Sequence, residues 1–333
     1  MVLRKGIHMI LVTGAAGFIG YQIAKTLVGR GHQVIGVDEP LFFETRPEHQ
    51  DLQLSQKLAP DAILVRGFFE ELANAGTQVK AVFHMGASSD TTEMRVDYLK
   101  RVNVDYSKQL WDLCKEFQIP FIYASSAATY GAGEEGYQDN ESRMANLKPL
   151  NPYGNSKLQF DLWALQQSKA GHEPPAWSGF KFFNVYGFGE RHKGRQSSVV
   201  LQGFDQILST GKLKLFKSHK PGIADGEQKR DFIHVSDVVD VMLYALDRPI
   251  RRGVFNLGTG KARSFLDLGK ATFAALGIPP DIEFIDTPIE IRDRYQYFTE
   301  APMQKLRGEG YSREFASLED GVMETIRELK SRF

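Results

Sequence analysis

The segment ILVTGAAGFIG, residues 10–20, constrains the fold of this chain more than any other stretch. An apolar run ends at Thr13, glycines stand at 14, 17 and 20, and helical spacing then continues to Val28. A strand that turns at once into a helix needs the first glycine for the tight turn. The second lets backbone approach a ligand, and the third lets the helix pack close to the strand. The N–H groups of the helix start favour an anion such as a pyrophosphate. Glycine-rich turns are common, so the next segment decides the reading: HQVIGVD (32–38) forms a second strand ending in Asp38. Asp38 is placed to accept hydrogen bonds from the adenosine ribose of a dinucleotide. Glu39 adds negative charge where a 2′-phosphate would lie, which favours NAD over NADP unless Arg46 or Arg66 folds over to compensate.

Further apolar runs occur at AILV (62–65), KAVFHMGAS (80–88) and IPFIYASS (119–126), separated by polar segments with helical spacing. Such alternation predicts a parallel sheet covered on both faces. GFKFFNV (179–185) reads as another strand, 216–228 as a glycine- and proline-bearing loop, and DFIHVSDVVDVMLYAL as strand then helix. The expected fold is α/β, a Rossmann-type doubly wound parallel sheet with a smaller α/β substrate-binding lobe. The dinucleotide domain is expected from 9–183 plus about 229–262, and the lobe from 184–228 plus 263–333. A chain of 333 residues suits such a pair.

Forty-one basic residues balance forty-one acidic ones, so no overall field favours nucleic acid or an anionic membrane. No run approaches the ~20 apolar residues of a membrane span. The leader MVLRKGIHM lacks the apolar region of a signal peptide. A soluble, cytoplasmic protein is expected, with neither nucleic acid nor membrane as partner and no metal. The single cysteine, Cys114, has no internal disulfide partner and is expected to be a buried small hydrophobe.

The segment NPYGNSK places Tyr153 and Lys157 at i and i+4, on one helical face. The strand IYASS ends in Ser126. A phenol of pKa ~10 is a poor base near neutrality, and lowering it by ~3 units takes ~4 kcal/mol of preference for the phenolate. A neighbouring ammonium and a positive nicotinamide can supply that charge. Ser126 would hydrogen-bond the same substrate oxygen. Tyr-x-x-x-Lys alone is frequent by chance, but after a dinucleotide fingerprint and a strand-end serine it points to catalysis.

With these pieces in place, the chain resembles the extended short-chain dehydrogenase/reductases, the superfamily of nucleotide-sugar epimerases and dehydratases. The matching stretches are TGAAGFIG, VFHMGA, Asn103, YASSAATYG, NPYGNSK, FNVYG, RDFIHVSDV and FNLGTG. The resemblance implies that Gly14, Gly17, Phe18, Ile19 and Gly20 flank the pyrophosphate. It implies that Asp38, Glu39, Gly86, Ala87 and Val185 border the cofactor, and that Asn103 helps position the active site. His84, in an apolar strand, is expected to be structural. Relatives that eliminate water carry an Asp-Glu pair after the strand-end serine or threonine. Here Ala127 and Ala128 stand there, so epimerisation or simple redox chemistry is expected instead.

More narrowly, FHMGASSDTTE, FNVYGFGERHKG, NLGTGKARSF and RYQYFT are similar to the ADP-glycero-manno-heptose 6-epimerase branch of that family. That resemblance implies inversion at a non-acidic sugar carbon by transient oxidation, for lipopolysaccharide core biosynthesis, with ADP-heptose as substrate. It implies that Lys193 is a second acid/base group, that Asn184, Phe216, Arg230 and Tyr295 contact substrate, and that Arg195 and Gln202 lie at substrate-side positions. It also implies a tightly bound NADP, against the NAD that Asp38 and Glu39 suggest, and a homo-oligomer such as a pentamer. The chain departs from the branch at Phe188-Gly189, at Arg195–Ser198, at Gln202 and in the inserted PGIADGE (221–227). An epimerase or reductase of another nucleotide sugar, such as a UDP-hexose 4-epimerase, and a non-catalytic dinucleotide sensor remain the alternatives.

Overall fold

The computed structural model describes residues 7–248, 250, 252–292 and 295–332; the first six residues of the leader lie outside them. Two compact units are present. One comprises residues 1–129, 140–181 and 239–255, and the other 130–139, 182–238 and 256–333.

The first unit carries a sheet whose strands run in the order 254–257, 177–182, 121–126, 77–84, 7–13, 33–37 and 56–58. The last residues of its outermost strand, 254–257, pass into the second unit. Ile7–Thr13 pairs in parallel with Gln33–Val37 on one side and with Thr77–His84 on the other. The order therefore reverses at that strand, and in open parallel sheets ligands bind beyond the carboxyl ends of the strands at such a reversal. The expected doubly wound sheet is observed. Ile10, Leu11 and Val12 are wholly buried, as a central parallel strand requires. Trp111 lies edge-on to Phe121, Phe160 and Trp177, so aromatic area fills the space between sheet and helices. Cys114 is buried there as expected, and burial pushes its thiol up.

One expected strand is absent. AILV (62–65) is not extended; Pro60–Ile63 forms a short 3-10 turn and the strand is Gln56–Leu58. Pro60 starts the turn, where its missing N–H costs nothing. The strand that pairs lies at the sheet edge, so it carries polar residues that an apolar-run criterion passes over.

In the second unit, Asn184–Tyr186 pairs in parallel with Lys229–His234, which pairs antiparallel with Ala262–Ser264. Leu213–Phe216 pairs in parallel with Ile282–Ile285. The helices Val199–Thr210, Phe265–Leu276 and Leu318–Arg332 enclose a core of Phe188, Leu201, Phe204, Phe232, Leu268 and Ile326. The residues about 229–262 were expected with the dinucleotide domain; of these, only 239–255 group with the first unit. Lys229–His234 hydrogen-bonds to the small sheet instead, so it falls with that unit. Asp231, wholly buried, accepts from the N–H groups of Thr259, Gly260 and Ala301 and from the Thr259 hydroxyl. This explains why the RDF and GTG motifs occur together: one carboxylate anchors the other motif's turn.

Candidate active site

The glycine turn has the steric logic read from the sequence. Gly14 has φ +67°, and a Cβ on it would lie 2.7 Å from the backbone N of Gly86. The loops following the two strands at the reversal therefore touch. A Cβ on Gly20 would lie 2.1 Å from the Gly14 carbonyl oxygen. Gly17 caps the helix Phe18–Gly29 with no side-chain hydrogen bond, which leaves its first turn open to an anion. These features fit a dinucleotide pyrophosphate.

Asp38 sits where the fingerprint expects it. One carboxylate oxygen accepts from the Ala16 N–H at 2.9 Å and the other from the Glu39 N–H at 2.9 Å. Burial raises its pKa above the usual carboxylate value, against those bonds and the nearby Arg46. Arg46 lies over the Phe42 ring at 3.9 Å and donates to the Ala16 carbonyl. Of the two arginines able to compensate, Arg46 has folded over; Arg66 pairs with Glu70 and Glu116 instead. Glu39 is exposed.

Between the glycine turn and the helix bearing Tyr153 runs a directional hydrogen-bond chain. The Gly86 N–H donates to Thr13 Oγ1, which donates to His84 Nδ1 at 2.7 Å. Ser107 donates to the Asn103 carbonyl, so its oxygen accepts from His84 Nε2 at 2.8 Å. This fixes a neutral imidazole protonated on Nε2, consistent with a pKa lowered by burial to about 3. His84 is structural, but its task is specific. Asn103 sits in a π-helical segment, Lys100–Asp105, a local widening often found at functional sites. Its amide donates to the Ser88 carbonyl and to Ser156 Oγ, and its oxygen accepts from the Ser88 N–H. Asn103 thus ties the loop holding Gly86 and Ala87 to the helix bearing Tyr153 and Lys157.

That helix, Pro152–Lys169, starts at Asn151, whose side chain caps the Gly154 N–H. Tyr153 and Lys157 are 8% and 7% exposed. Ser126 hydrogen-bonds Tyr153, and Lys157 Nζ donates to the Ala124 carbonyl at 3.0 Å. The sequence thus identified three groups that the fold brings together. Their electrostatics differ from the simplest expectation. Burial raises the Tyr153 phenol above its ordinary value, outweighing Ser126. Burial lowers Lys157 to about 8, with Asp161 opposing. The protein's own residues therefore hold the phenol protonated.

The second unit holds the other expected residues. Asn184 is exposed and Val185 half-buried on the strand 184–186. Lys193 lies on a tight turn, Arg191–Gln196, broken at Gly194 with φ +53°. Its side chain is 25% exposed and its Nζ stands 4.0 Å from the buried Glu190. Burial lowers Lys193 and Glu190 opposes. Glu190 is in turn held by the N–H and hydroxyl of Ser198. Arg195 is exposed, and Gln202 donates to the Ser197 carbonyl at 2.7 Å, bracing the turn. Arg191 forms an ion pair with Asp205.

Arg230 is 7% exposed, with the Phe265 and Tyr295 rings 5.7 and 5.4 Å from its guanidinium carbon. Its hydrogen bonds go to the carbonyls of Lys229 and Gln296. Phe216 lies edge-on to Tyr295 at 6.2 Å. Among the described residues the buried guanidinium bonds to carbonyls rather than to a carboxylate, an arrangement that suits an anion. Phe265 and Gln296 lie within NLGTGKARSF and RYQYFT, but the sequence does not single them out from their neighbours.

The model of the NAD dependent epimerase/dehydratase family matches residues 10–258. A relative from Fusobacterium nucleatum named ADP-L-glycero-D-manno-heptose-6-epimerase is 44% identical over 329 residues, 96% of this chain and 97% of the relative. A relative of the same name from Nitratidesulfovibrio vulgaris is 44% identical over 322 residues, again 96% and 97% of the two chains. The solved Helicobacter pylori ADP-L-glycero-D-manno-heptose-6-epimerase matches with TM-score 0.78 and 25% identity, over 97% of this chain and 96% of that one. A Thermus thermophilus UDP-glucose 4-epimerase complex with NAD has the same fold, with TM-score 0.76 at 22% identity, over 98% and 100% of the chains.

Proposed function

Because the chain belongs to the NAD dependent epimerase/dehydratase family, we propose that it converts ADP-D-glycero-D-manno-heptose to ADP-L-glycero-D-manno-heptose by inverting carbon 6. The observation that carries this reading is the cluster of half-buried Ser126 with buried Tyr153 and Lys157, followed by Ala127 and Ala128 where elimination would need carboxylates. The hydrogen at the inverted carbon is not acidic, so inversion requires oxidation and reduction. A dinucleotide held by the Gly14 turn, Gly86 and Asp38 would supply reversible hydride acceptance when bound. Tyr153 takes the hydroxyl proton as the carbon is oxidised and returns it on reduction, while Ser126 orients the oxygen. Lys157, charged below about pH 8, stabilises the phenolate. Lys193, whose pKa burial lowers against the opposing charge of Glu190, serves as the second acid/base group. Arg230 holds the diphosphate, with Phe216, Tyr295 and Asn184 as further substrate contacts.

For the cofactor, Arg46 beside Asp38 favours NADP, since a guanidinium there offsets the Asp38 charge and suits a phosphate. Cytoplasmic location, lipopolysaccharide core biosynthesis and homo-oligomeric assembly belong to the same reading and rest on the resemblance alone.

The experiment is incubation with ADP-D-glycero-D-manno-heptose followed by NMR at carbon 6, alongside Lys193→Ala. The expected result is inversion by the unaltered protein and at least a hundredfold loss in the variant, which keeps its dinucleotide. Turnover of a UDP-hexose with none of the heptose would overturn the substrate. An active alanine variant would remove Lys193 from the mechanism.

A further inference from the structure

Lys181 lies in the apolar run GFKFF and is wholly buried, as is Asp161, and their charged groups meet at 2.6 Å. A buried ion pair is weak evidence for stability, because desolvating two charges offsets most of their attraction. Its placement here suggests another purpose. Asp161 Oδ2 also accepts from Ser125 Oγ at 2.7 Å, and Oδ1 accepts from Tyr123 OH at 2.9 Å. Lys181 Nζ donates in addition to Thr129 Oγ1 at 2.7 Å. The Thr129 hydroxyl then donates to the Ser126 carbonyl at 2.8 Å. Ser126 Oγ itself accepts from the Ala128 N–H at 3.1 Å. The pair therefore ties the strand that ends in Ser126, the turn beyond it, the neighbouring strand and the catalytic helix.

We propose that Asp161 and Lys181 form a buried positioning pair that fixes the catalytic Ser126 and sets the charge felt by Tyr153 and Lys157. This rests on the assignment of those three residues to catalysis. Asp161 is one helical turn beyond Lys157 and two beyond Tyr153, so its carboxylate lies beneath both. The charged or titratable groups around it are Lys157, Tyr153, Lys181 and Tyr123, and Glu141 acts on Tyr123. Its negative charge supports the Lys157 ammonium against burial and opposes the Tyr153 phenolate. Lys181 holds that carboxylate from the neighbouring strand at 2.6 Å, while the charge acting on Lys157 and Tyr153 is that of Asp161. Neutralising the pair removes both effects of Asp161, so Lys157 and Tyr153 both titrate at lower pH.

Two variants separate geometry from charge. Asp161→Asn with Lys181→Gln keeps polar groups at both places and removes the charges. Its bell-shaped pH profile for kcat should move down by about one unit, the low end of what an opposite charge nearby does. NMR of isotope-labelled lysine should show the Lys157 titration falling by the same amount, without need of turnover. Thr129→Val cuts the link to Ser126 and leaves every charge in place. Here kcat should fall about tenfold, with KM and the profile's position unchanged. An unmoved profile and an unmoved Lys157 titration in the neutral pair, or unaltered kcat in Thr129→Val, would overturn the proposal. Absence of turnover by the unaltered protein would instead strike the assigned reaction, and the lysine titration would still decide the charge effect.

Discussion

Tyr153→Phe is expected to lower epimerisation by about a thousandfold, or about 4 kcal/mol in the barrier, while the purified protein keeps its dinucleotide. The variant removes one oxygen from a site that is 8% exposed, so the ring still fills its place in the helix. On the proposed mechanism, what is lost is the group that exchanges a proton with the substrate hydroxyl. Ser126 remains, but a serine is far too weak a base to replace a phenolate at neutral pH. The cofactor cradle is built from the Gly14 turn, Gly86 and Asp38, none of which depends on the phenolic oxygen. Cofactor content and turnover, measured on one preparation, check the prediction. Loss of both together would show that Tyr153 acts in binding or folding rather than in proton transfer.

Gly20→Ala should produce a protein that has lost its dinucleotide, with affinity reduced by about a hundredfold or about 3 kcal/mol. The added Cβ would lie 2.1 Å from the Gly14 carbonyl oxygen and 2.6 Å from its carbon. Both are backbone atoms of the tight turn, so no flexible side chain can yield. Gly14 cannot retreat freely, because its own left-handed backbone already packs against Gly86. Helix and turn must separate, which spoils the approach of backbone to the pyrophosphate. Released cofactor, quantified against protein and accompanied by a thermal melt, reads the result. Full occupancy with an unchanged melt would contradict this account of the turn.

Where short-range rules act, the residues that the fold brings together were legible in the sequence. Glycine spacing, the end of a strand and an i, i+4 pair are local, and Gly14, Ser126, Tyr153 and Lys157 are all marked by them. AILV shows the limit: apolar composition suggested a strand, but the sheet edge needs few apolar residues and took Gln56–Leu58 instead. The grouping of Lys229–His234 was not legible for a related reason. Its motif resembles a return to the first sheet, while its hydrogen bonds go to Asn184–Tyr186 and Ala262–Ser264. Lys181 did leave a signal. A lysine within GFKFF must find a buried partner, yet only the folded chain shows that the partner is Asp161. Whether Arg46 turns toward Asp38 is a matter of side-chain placement, which no local sequence pattern encodes.

Inversion by oxidation and reduction at one sugar carbon, with the same hydrogen leaving and returning, is the premise on which every assigned role depends. ADP-D-glycero-D-manno-heptose carrying deuterium at carbon 6 tests it most directly. In ordinary water the product should be inverted and should keep its deuterium at carbon 6, with none released to solvent. Inverted product carrying solvent hydrogen at that carbon would contradict the account.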